Sequence, residues 1–341
     1  MKRHPIINQK KSEYLSECRA KVTEASLRKW FKRAEDLLKE DVEILNSHPD
    51  RVFNVDETAF FLNKQGQVVL AERGKAVYNI NKNSDKECVT VSICISTSGE
   101  MAPPLVVYTY DRLPAVYRST LPEGWAAHGT PKGWMNGETF YEYFGNVFIP
   151  FIRKKFPNGE RIVVFFDGYS SHLTLQLSEL ADKNNISLVC LYPSTTQILQ
   201  PLDVAFFKPL KVYWVTERSL YEFKKKLQIQ KYHIPIILQE IFKNPKYNLV
   251  KSIQNGFRKC GLCPFNPDNV DYTTLPTYAA NTHPSEDINV SPQVDSPQVS
   301  ALDFIESKLD ENLMMRFKTE HKSVWTGDEK DTSLFYFWRD L

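Results

Sequence analysis

The stretch RIVVFFDGYSSHLT, residues 161–174, joins a buried strand to an acidic residue at the point where the strand ends. The five apolar residues from Ile162 to Phe166 are typical of a strand that is covered on both faces. Asp167 follows at once, where hydrophobic packing stops and a crevice can begin. An aspartate in that position is either a turn former or a ligand for a positively charged group. Asp167 alone does not decide between the two.

The composition is that of a chain with enough apolar residues for a large folded core. Of its 341 residues, 42% are hydrophobic and 13% are aromatic, which is ample for globular domains. No run reaches the roughly 18 uninterrupted apolar residues that a membrane helix needs. The N-terminal stretch MKRHPIINQKKSEY is basic but lacks the apolar segment of a secretory signal. We therefore expect an intracellular protein with no membrane partner.

The six cysteines are scattered along the chain. Cys88, Cys94 and Cys190 fall in apolar, strand-like runs, which is typical of reduced thiols in a core. Cys260 and Cys263 stand close together in KCGLC, but no second Cys or His pair at ligand spacing accompanies them. The sequence therefore argues against a zinc site at this position.

Charge is unevenly distributed, although the net charge is only +2. Residues 1–40 hold 11 Lys or Arg against 6 Asp or Glu, whereas residues 268–341 hold 6 against 14. A basic body with an acidic tail is compatible with a polyanionic partner. Ordinary solvated surfaces would give the same distribution, so charge alone leaves both interpretations open.

The hydrophobic period changes several times along the chain. Residues 12–46 have helical spacing, with Thr23 as a cap. Short β-rich runs follow at 51–62, 67–72, 88–97 and 104–110, and we expect the first three to be antiparallel. From Gly137 the spacing is helical again, followed by a strand at 161–167, a helix at 173–183 and a strand at 186–192. Strands that alternate with helices imply a parallel portion of the sheet.

The last third of the chain is predicted to be mostly helical and then irregular. Helices are expected at 202–214, 234–243 and 248–259. Residues 266–300 are rich in Pro, Asn, Ser and Thr, which indicates a mobile linker. A short amphipathic helix is predicted around 301–317.

Three acidic residues stand beside apolar runs that would fix their positions. Asp56 lies in or at the end of the first strand, Asp167 ends the strand at 161–167, and Asp203 begins the helix that follows ILQP. If the two strands are neighbours, their ends bring two carboxylates together, and the helix start can supply a third. Clustered carboxylates repel and are stable mainly when a divalent cation neutralises them. Aspartates also commonly cap helices and end strands, so the three residues taken alone leave a purely structural interpretation open.

Three blocks of sequence resemble the DDE transposase domain of the pogo/Tigger/jerky branch of the mariner superfamily. They are FNVDET (53–58), FFDGYSSHLT (165–174) and LQPLDVAFFKPLK (199–211), with 35 residues between Asp167 and Asp203. The resemblance continues through GFRKCGLCPFNPD (256–268) and SLFYFWRDL (333–341), so it covers nearly the whole chain.

The resemblance implies a ribonuclease-H-like fold, α/β, with a mixed sheet flanked by helices. It also implies that Asp56, Asp167 and Asp203 are the catalytic and metal-binding triad, holding two Mg²⁺ or Mn²⁺ ions. Oxygen ligands favour those ions over zinc, and an ion pair can clamp both reacting oxygens of a phosphodiester. Glu57 and His172 fall within the same blocks and are candidates for lining the site, although a structural role for each is equally compatible with the sequence.

The sequence departs from the family pattern in three places. Tyr169 stands where relatives often have His after the Asp-Gly pair, and Cys260 and Cys263 replace other small residues before the proline. Residues 1–46 resemble the helical lead-in that follows a pair of helix-turn-helix domains, which are not in this sequence. We expect residues 47–267 to form the catalytic domain, 268–300 a disordered linker, and 301–341 an acidic C-terminal tail with a short helix.

Two hypotheses about function remain open from the sequence. The first is a transposase catalytic domain that cuts and joins DNA with two divalent ions. The second is a catalytically inactive DNA-binding or regulatory protein of the nucleus, which is a domesticated or truncated derivative of such a transposase. Under either hypothesis we expect a nuclear location, with homo-oligomers left open. DNA affinity is expected from Lys224, Lys225 and Lys226 and from the basic lead-in, chiefly through phosphates.

Overall fold

The structure, a computed structural model, describes residues 17–39, 41–62, 88–168, 174–277 and 315–316. The chain divides into two units, Met1–Thr282 and His283–Leu341, and all elements named below belong to the first. No helix in the described ranges is long and apolar enough to cross a bilayer. The predicted strand at 67–72 lies outside the described residues, and so does the predicted helix around 301–317, except for the helical residues Met315 and Arg316.

The described residues form six strands and eleven α-helices. The strands are β1 (Val52–Phe61), β2 (Cys88–Ser96), β3 (Leu105–Thr109), β4 (Ala126–Thr130), β5 (Ile162–Phe166) and β6 (Ile186–Cys190). The helices are α1 (Glu17–Ala20), α2 (Glu24–Leu38), α3 (Asp41–Ser47), α4 (Ala115–Ser119), α5 (Gly137–Tyr143), α6 (Ile149–Lys155), α7 (Leu175–Lys183), α8 (Thr196–Leu199), α9 (Phe207–Lys225), α10 (Ile234–Lys243) and α11 (Leu249–Lys259). Two π-helical turns, Phe144–Phe148 and Leu202–Phe206, precede α6 and α9.

The strands form one mixed sheet in the order β4-β3-β2-β1-β5-β6. β1 pairs antiparallel with β2, and β2 pairs antiparallel with β3. The antiparallel prediction is confirmed for the runs at 51–62 and 88–97, while the run at 67–72 between them lies outside the described residues. β5 pairs in parallel with β1 on one side and with β6 on the other. The predicted parallel portion is therefore confirmed, and all five residues of β5 are buried, as expected for a strand covered on both faces.

Alternation along β1 separates two helical layers. Phe53 and Val55 point into a cluster with α5, α6 and α7, which contains the buried rings of Phe140, Phe144 and Phe148. Val52 and Phe60 point into the opposite cluster, formed with α2, α9, α10 and α11. Because successive side chains of a strand face opposite sides, Asn54 and Asp56 share the face of β1 that is covered by α9 and α11.

The amphipathic lead-in is confirmed at its cap and on its inner face. The Thr23 hydroxyl accepts a hydrogen bond from the Ser26 N–H, and the Ser26 Oγ accepts one from the Thr23 N–H. Leu27 and Phe31 are buried, whereas Leu37, which also fits the helical spacing, is 76% exposed. α2 therefore packs on the core through its first three turns.

Two predictions from the sequence are corrected. The region between 110 and 137, for which no element is predicted, contains α4 and β4. The predicted linker at 268–300 is wrong for its first ten residues, because Val270, Tyr272 and Leu275 are buried in the core. Polar composition suggested mobility there, but these three apolar side chains are spaced so that a run of short turns presents them to the same surface.

Candidate metal centre

Asp56 lies in the middle of β1, where the sheet holds it away from water. It pairs with Ile93 of β2 and is only 8% exposed. Its Oδ1 accepts a 2.8 Å hydrogen bond from the Glu57 N–H. Its Oδ2 is buried and meets no hydrogen-bond donor among the described residues, since the nearby Asp203 carboxyl can bond to it only when one of the two acids holds a proton. A buried carboxylate oxygen without a partner is costly unless a cation or proton compensates it.

Asp167 reaches the same edge of the sheet through the register of β1 and β5. Asn54 is paired with Phe165 in the parallel ladder, and two residues further along each strand come Asp56 and Asp167. The predicted pairing of the two strands is therefore confirmed, and its register brings the two acids to the same level of neighbouring strands. Asp167 is half-buried because it comes directly after the last residue of β5.

Asp203 lies in the π-helical turn that begins α9. Pro201 precedes the turn, and Leu202 and Phe206 within it are fully buried. The turn is held close to α11, because a Cβ added at Gly256 would come within 2.6 Å of the Pro201 carbonyl oxygen. Only glycine allows this approach. Asp203 itself remains exposed to solvent, so a ligand can reach it from outside.

The pKa values show how these acids influence one another. Burial raises the pKa of Asp56 well above its usual range, and the charges of Asp203, Glu57 and Asp167 add to the effect. Desolvation by the surrounding protein also raises the pKa of Asp203, with Asp167 adding and the close Asp56 carboxyl and Lys211 opposing. Like charges and burial both disfavour ionised carboxylates. The site is therefore poised to take up positive charge.

The chemistry of the donor set suits a hard divalent cation, although the structure does not gather the three acids around an ion site. Asp56, Asp167 and Asp203 offer carboxylate oxygens, and the Oδ2 of Asp56 lacks a partner, which matches the oxygen preference of Mg²⁺ and Mn²⁺. Asp56 and Asp203 form the closer pair, with Asp167 contributing the weaker charge effect on each. Within the described residues, no three His, Cys, Asp or Glu side chains are clustered closely enough to surround an ion.

The two other residues predicted to line the site are placed differently. Glu57 alternates with Asp56 along β1 and so lies on the opposite face, where its carboxylate is 3.5 Å from the Ser92 hydroxyl. Its side chain acts on Asp56 through its charge, while its backbone N–H donates the hydrogen bond to Asp56 Oδ1 described above. His172 lies outside the described residues, as does Tyr169.

Two basic side chains beside Asp203 are not among the residues that the sequence predicts for DNA binding. A surface groove of about 460 Å³ begins at Asp203 and is lined by Phe207, Lys208, Lys211, Val212 and Val215. Lys208 and Lys211 are both exposed. The sequence LQPLDVAFFKPLK contains a signal for them. Lys208 and Lys211 are three residues apart near the start of a helix, which puts both on the helix face that continues from Asp203.

The predicted lysine run lies far from Asp203 along α9. Lys224 and Lys225 form the last turn of α9, and Lys226 is its C-cap in a left-handed conformation, with φ of 52°. At 1.5 Å per residue, the run is about 30 Å along the helix from Asp203. All three side chains are exposed. They can therefore bind a polyanion, but only one that extends well beyond the carboxylates.

A second opening lies beside Asp167. A cavity of about 240 Å³ is bounded by Asp167 and Gly168, by Gln200, and by the loop that follows β6. The loop residues that line it are Leu191, Tyr192, Pro193, Ser194, Thr195 and Thr196. The acids thus stand between a groove on the α9 side and a cavity on the β6 side.

A mixed six-stranded sheet, with Asp56 on one strand and Asp167 directly after the neighbouring parallel strand, defines a nuclease-like α/β fold, and comparison with known proteins gives the family. The chain belongs to the DDE superfamily endonucleases, whose family model matches residues 86–256. That span contains Asp167 and Asp203, while Asp56 precedes it.

Solved structures agree with this fold. A pre-cleavage Mos1 transpososome matches with a TM-score of 0.51 at 13% identity, covering 83% of this chain and 70% of that one. The mariner Mos1 paired end complex with Mg also matches with a TM-score of 0.51 at 13% identity, covering 82% and 68%. The fold is therefore ribonuclease-H-like, as expected.

A curated relative is similar over part of its length. It is the protein named MFS-type transporter clz9 from Cochliobolus lunatus, 30% identical over 226 residues. The match takes in 64% of this chain and 24% of that protein. The chain thus spans about a quarter of this relative.

Proposed function

We propose that this chain is a metal-dependent DNA endonuclease and strand transferase of the pogo/Tigger/jerky branch, acting in the nucleus on transposon DNA. The observation that carries the proposal is the buried, unpartnered Oδ2 of Asp56, with Asp203 and Asp167 at the same edge of the sheet. Membership of the DDE endonuclease family supports it. The branch is supported by FNVDET, FFDGYSSHLT and LQPLDVAFFKPLK.

Asp56, Asp167 and Asp203 would hold Mg²⁺ or Mn²⁺. When bound, a pair of such ions activates the attacking oxygen of a phosphodiester displacement and neutralises the leaving oxygen. Asp56 supplies a fixed ligand, because its strand is buried and its Oδ1 is held by the Glu57 N–H. Asp203 faces solvent and supplies the ligand on the side from which DNA approaches.

The groove that begins at Asp203 would seat the DNA backbone. Lys208 and Lys211 flank it, and lysine ammonium groups bind phosphate as point charges. Contacts of this kind fix the register of a duplex without reading its sequence. The Mos1 structures, a transpososome and a paired end complex with Mg, support DNA as the partner, and an oligomeric assembly on DNA is part of the proposal.

A plasmid-nicking assay tests the proposal. Supercoiled DNA is incubated with the protein in Mn²⁺, in Mg²⁺ or in EDTA, and nicked circles are quantified. We expect nicking with either metal, none in EDTA, and a loss of at least a hundredfold in Asp203→Asn. Metal-dependent nicking that persists unchanged in Asp203→Asn would assign the activity to a contaminant and contradict the proposal.

A second candidate is a DNA-binding regulator without cleavage activity. The observation that favours it is the exposed run Lys224 to Lys226, which lies about 30 Å from Asp203 and can bind phosphates without involving the carboxylates. The same preparation separates the two functions. Salt-sensitive DNA binding without nicking or metal binding would support the regulator and contradict the endonuclease.

A further inference from the structure

Two buried amide side chains lie directly beneath the acidic residues. Asn54, on β1, and Gln200, in the segment before α9, are both fully buried. The Asn54 Nδ2 donates a 2.7 Å hydrogen bond to the Gln200 Oε1. These two residues, called the amide pair below, connect the sheet to the start of α9.

In the described part of the chain, the other hydrogen bonds of these two side chains go to backbone within two residues of one of the acids. The Gln200 Nε2 donates to the carbonyl of Val55, the residue before Asp56, at 3.2 Å. The Asn54 Oδ1 accepts from the N–H of Leu202, the residue before Asp203, at 3.1 Å.

The third backbone contact reaches β5. The Asn54 Nδ2 donates at 3.0 Å to the carbonyl of Phe165, two residues before Asp167. The amide pair therefore binds the chain within two residues of all three acids, across positions separated by more than a hundred residues in sequence.

We propose that Asn54 and Gln200 are positioning residues for the metal centre, setting the spacing of Asp56, Asp167 and Asp203 through their backbones. The inference rests on the proposed metal-dependent function. Neither side chain is a catalytic residue, because both are buried beneath the acids and bond only to each other and to backbone.

The physical reason is that the acids repel one another. Burial and like charges raise the pKa of Asp56 and of Asp203, so without restraint the acidic side chains would move apart. A buried hydrogen-bond network with fixed directions resists that movement. Metal ligands depend on such support, and loss of an outer partner typically costs about 10- to 100-fold in metal affinity.

Gln200→Met tests the proposal, because methionine keeps the length and apolar packing of the side chain but forms none of its hydrogen bonds. Mn²⁺ binding to the full chain is measured by isothermal titration calorimetry, and stability by thermal melting in EDTA. We expect the Mn²⁺ dissociation constant to rise by about tenfold or more. The matched control is Thr90→Val, which removes a buried 2.8 Å bond from the Thr90 hydroxyl to the Gly133 carbonyl, elsewhere in the sheet.

The outcomes distinguish positioning from general stability. If Gln200→Met weakens Mn²⁺ binding while Thr90→Val loses stability but binds normally, the amide pair positions the centre. If Gln200→Met binds Mn²⁺ as wild type does, or if both variants weaken binding equally, the proposal is overturned and the endonuclease function still stands. If wild type itself binds no Mn²⁺, both proposals fall.

A second variant covers the case in which Gln200→Met does not fold. Asn54→Thr keeps a residue that favours strands but is too short to reach both Gln200 and Leu202. We expect the same tenfold or greater loss of Mn²⁺ affinity. Unchanged affinity in a folded Asn54→Thr variant would overturn the proposal by itself.

Discussion

Asp56, within β1, and Asp167, directly after β5, lie at equivalent levels of two adjacent parallel strands, each two residues past the paired Asn54 and Phe165. The hydrogen-bond register of the sheet, rather than any direct bond between the two side chains, determines that both acids arrive at one edge. The third acid, Asp203, comes from a helical turn that packs on the same face as Asp56. Each prediction below follows from this convergence or from the surfaces next to it.

Metal ions are expected to stabilise the folded chain. A ligand that binds only the native state at about 100 times its dissociation constant contributes about 2.7 kcal/mol, which corresponds to roughly 5–10 °C in melting temperature for a domain of this size. In Asp167→Asn the increase produced by Mn²⁺ should shrink to less than half. Differential scanning fluorimetry checks this, with Asp268→Asn, an exposed acid outside the site, as the control. An equal response in Asp167→Asn and wild type would remove Asp167 from the centre.

Without metal, the stability of the chain should fall as the pH rises towards neutrality. The pKa of Asp56 is raised in the folded state by burial and by Asp203. At pH values between the unfolded pKa of Asp56, about 3.9, and its raised folded pKa, the native state holds a proton that the unfolded state has released. The free energy of unfolding therefore falls as the pH rises through that window. Melting in EDTA from pH 5 to pH 8 measures the slope.

Asp56→Asn is the variant that identifies the source of this slope. Asparagine keeps the Oδ1 acceptor for the Glu57 N–H but carries no charge, so we expect a flatter pH profile and a higher melting temperature than wild type at pH 7.5 in EDTA. The variant should also lose Mn²⁺ binding. A slope as steep as that of wild type would attribute the pH dependence to other groups.

DNA binding should depend on the lysines of the α9 groove more than on the distant run. Each phosphate contact contributes about 0.9 to the slope of log affinity against log salt. Lys208→Gln with Lys211→Gln should lower the slope by up to about 1.8 and reduce nicking. Replacing Lys224, Lys225 and Lys226 together should lower the slope while leaving nicking at saturating protein unchanged. Fluorescence anisotropy over a salt series gives both slopes, and identical effects on nicking would contradict the assignment of the groove.

Gly256→Ala should destabilise the chain, although alanine normally favours a helix by about 1 kcal/mol over glycine. The new methyl group would lie 2.6 Å from the Pro201 carbonyl oxygen and 3.4 Å from the Ala205 Cβ, and overpacking of this kind costs about 1–3 kcal/mol. Since the strain falls on the turn that carries Asp203, Mn²⁺ affinity should drop as well. Urea unfolding and calorimetry measure the two effects, and a gain in stability would show that α11 can move away at no cost.

The sequence predicts the parts of this fold that follow from local periodicity. β5, with its unbroken apolar run, and α2, with its Thr23 cap, are examples. The three acids could also be singled out, because each stands beside an apolar run that fixes its position. Their meeting depends on strand order, which the sequence suggests only through the alternation of strands and helices.

Other features depend on tertiary packing that no local pattern encodes. β4 consists of AAHGT, which has low strand propensity, and it forms because β3 offers a parallel edge. Val270 and Leu275 lie in a polar segment, and only the shape of the core shows that they are buried. The roles of Asn54 and Gln200 depend on contacts across 146 residues of sequence, so neither could be assigned from its own neighbourhood.

The π-helical turn Leu202–Phe206 also bears on how such a chain changes over generations. A π turn holds one residue more than an α turn, and each residue of an α-helix advances the chain by about 100° around its axis. Deletion of a single codon within this turn would leave a regular helix continuous with α9 and rotate Asp203 by about that angle relative to the helix. Because the buried face of α9 would stay in register with the sheet, one small deletion would turn Asp203 away from Asp56 and Asp167 while the folded domain and its basic surfaces persist. A single in-frame deletion could thus convert the proposed endonuclease into a folded protein that only binds DNA.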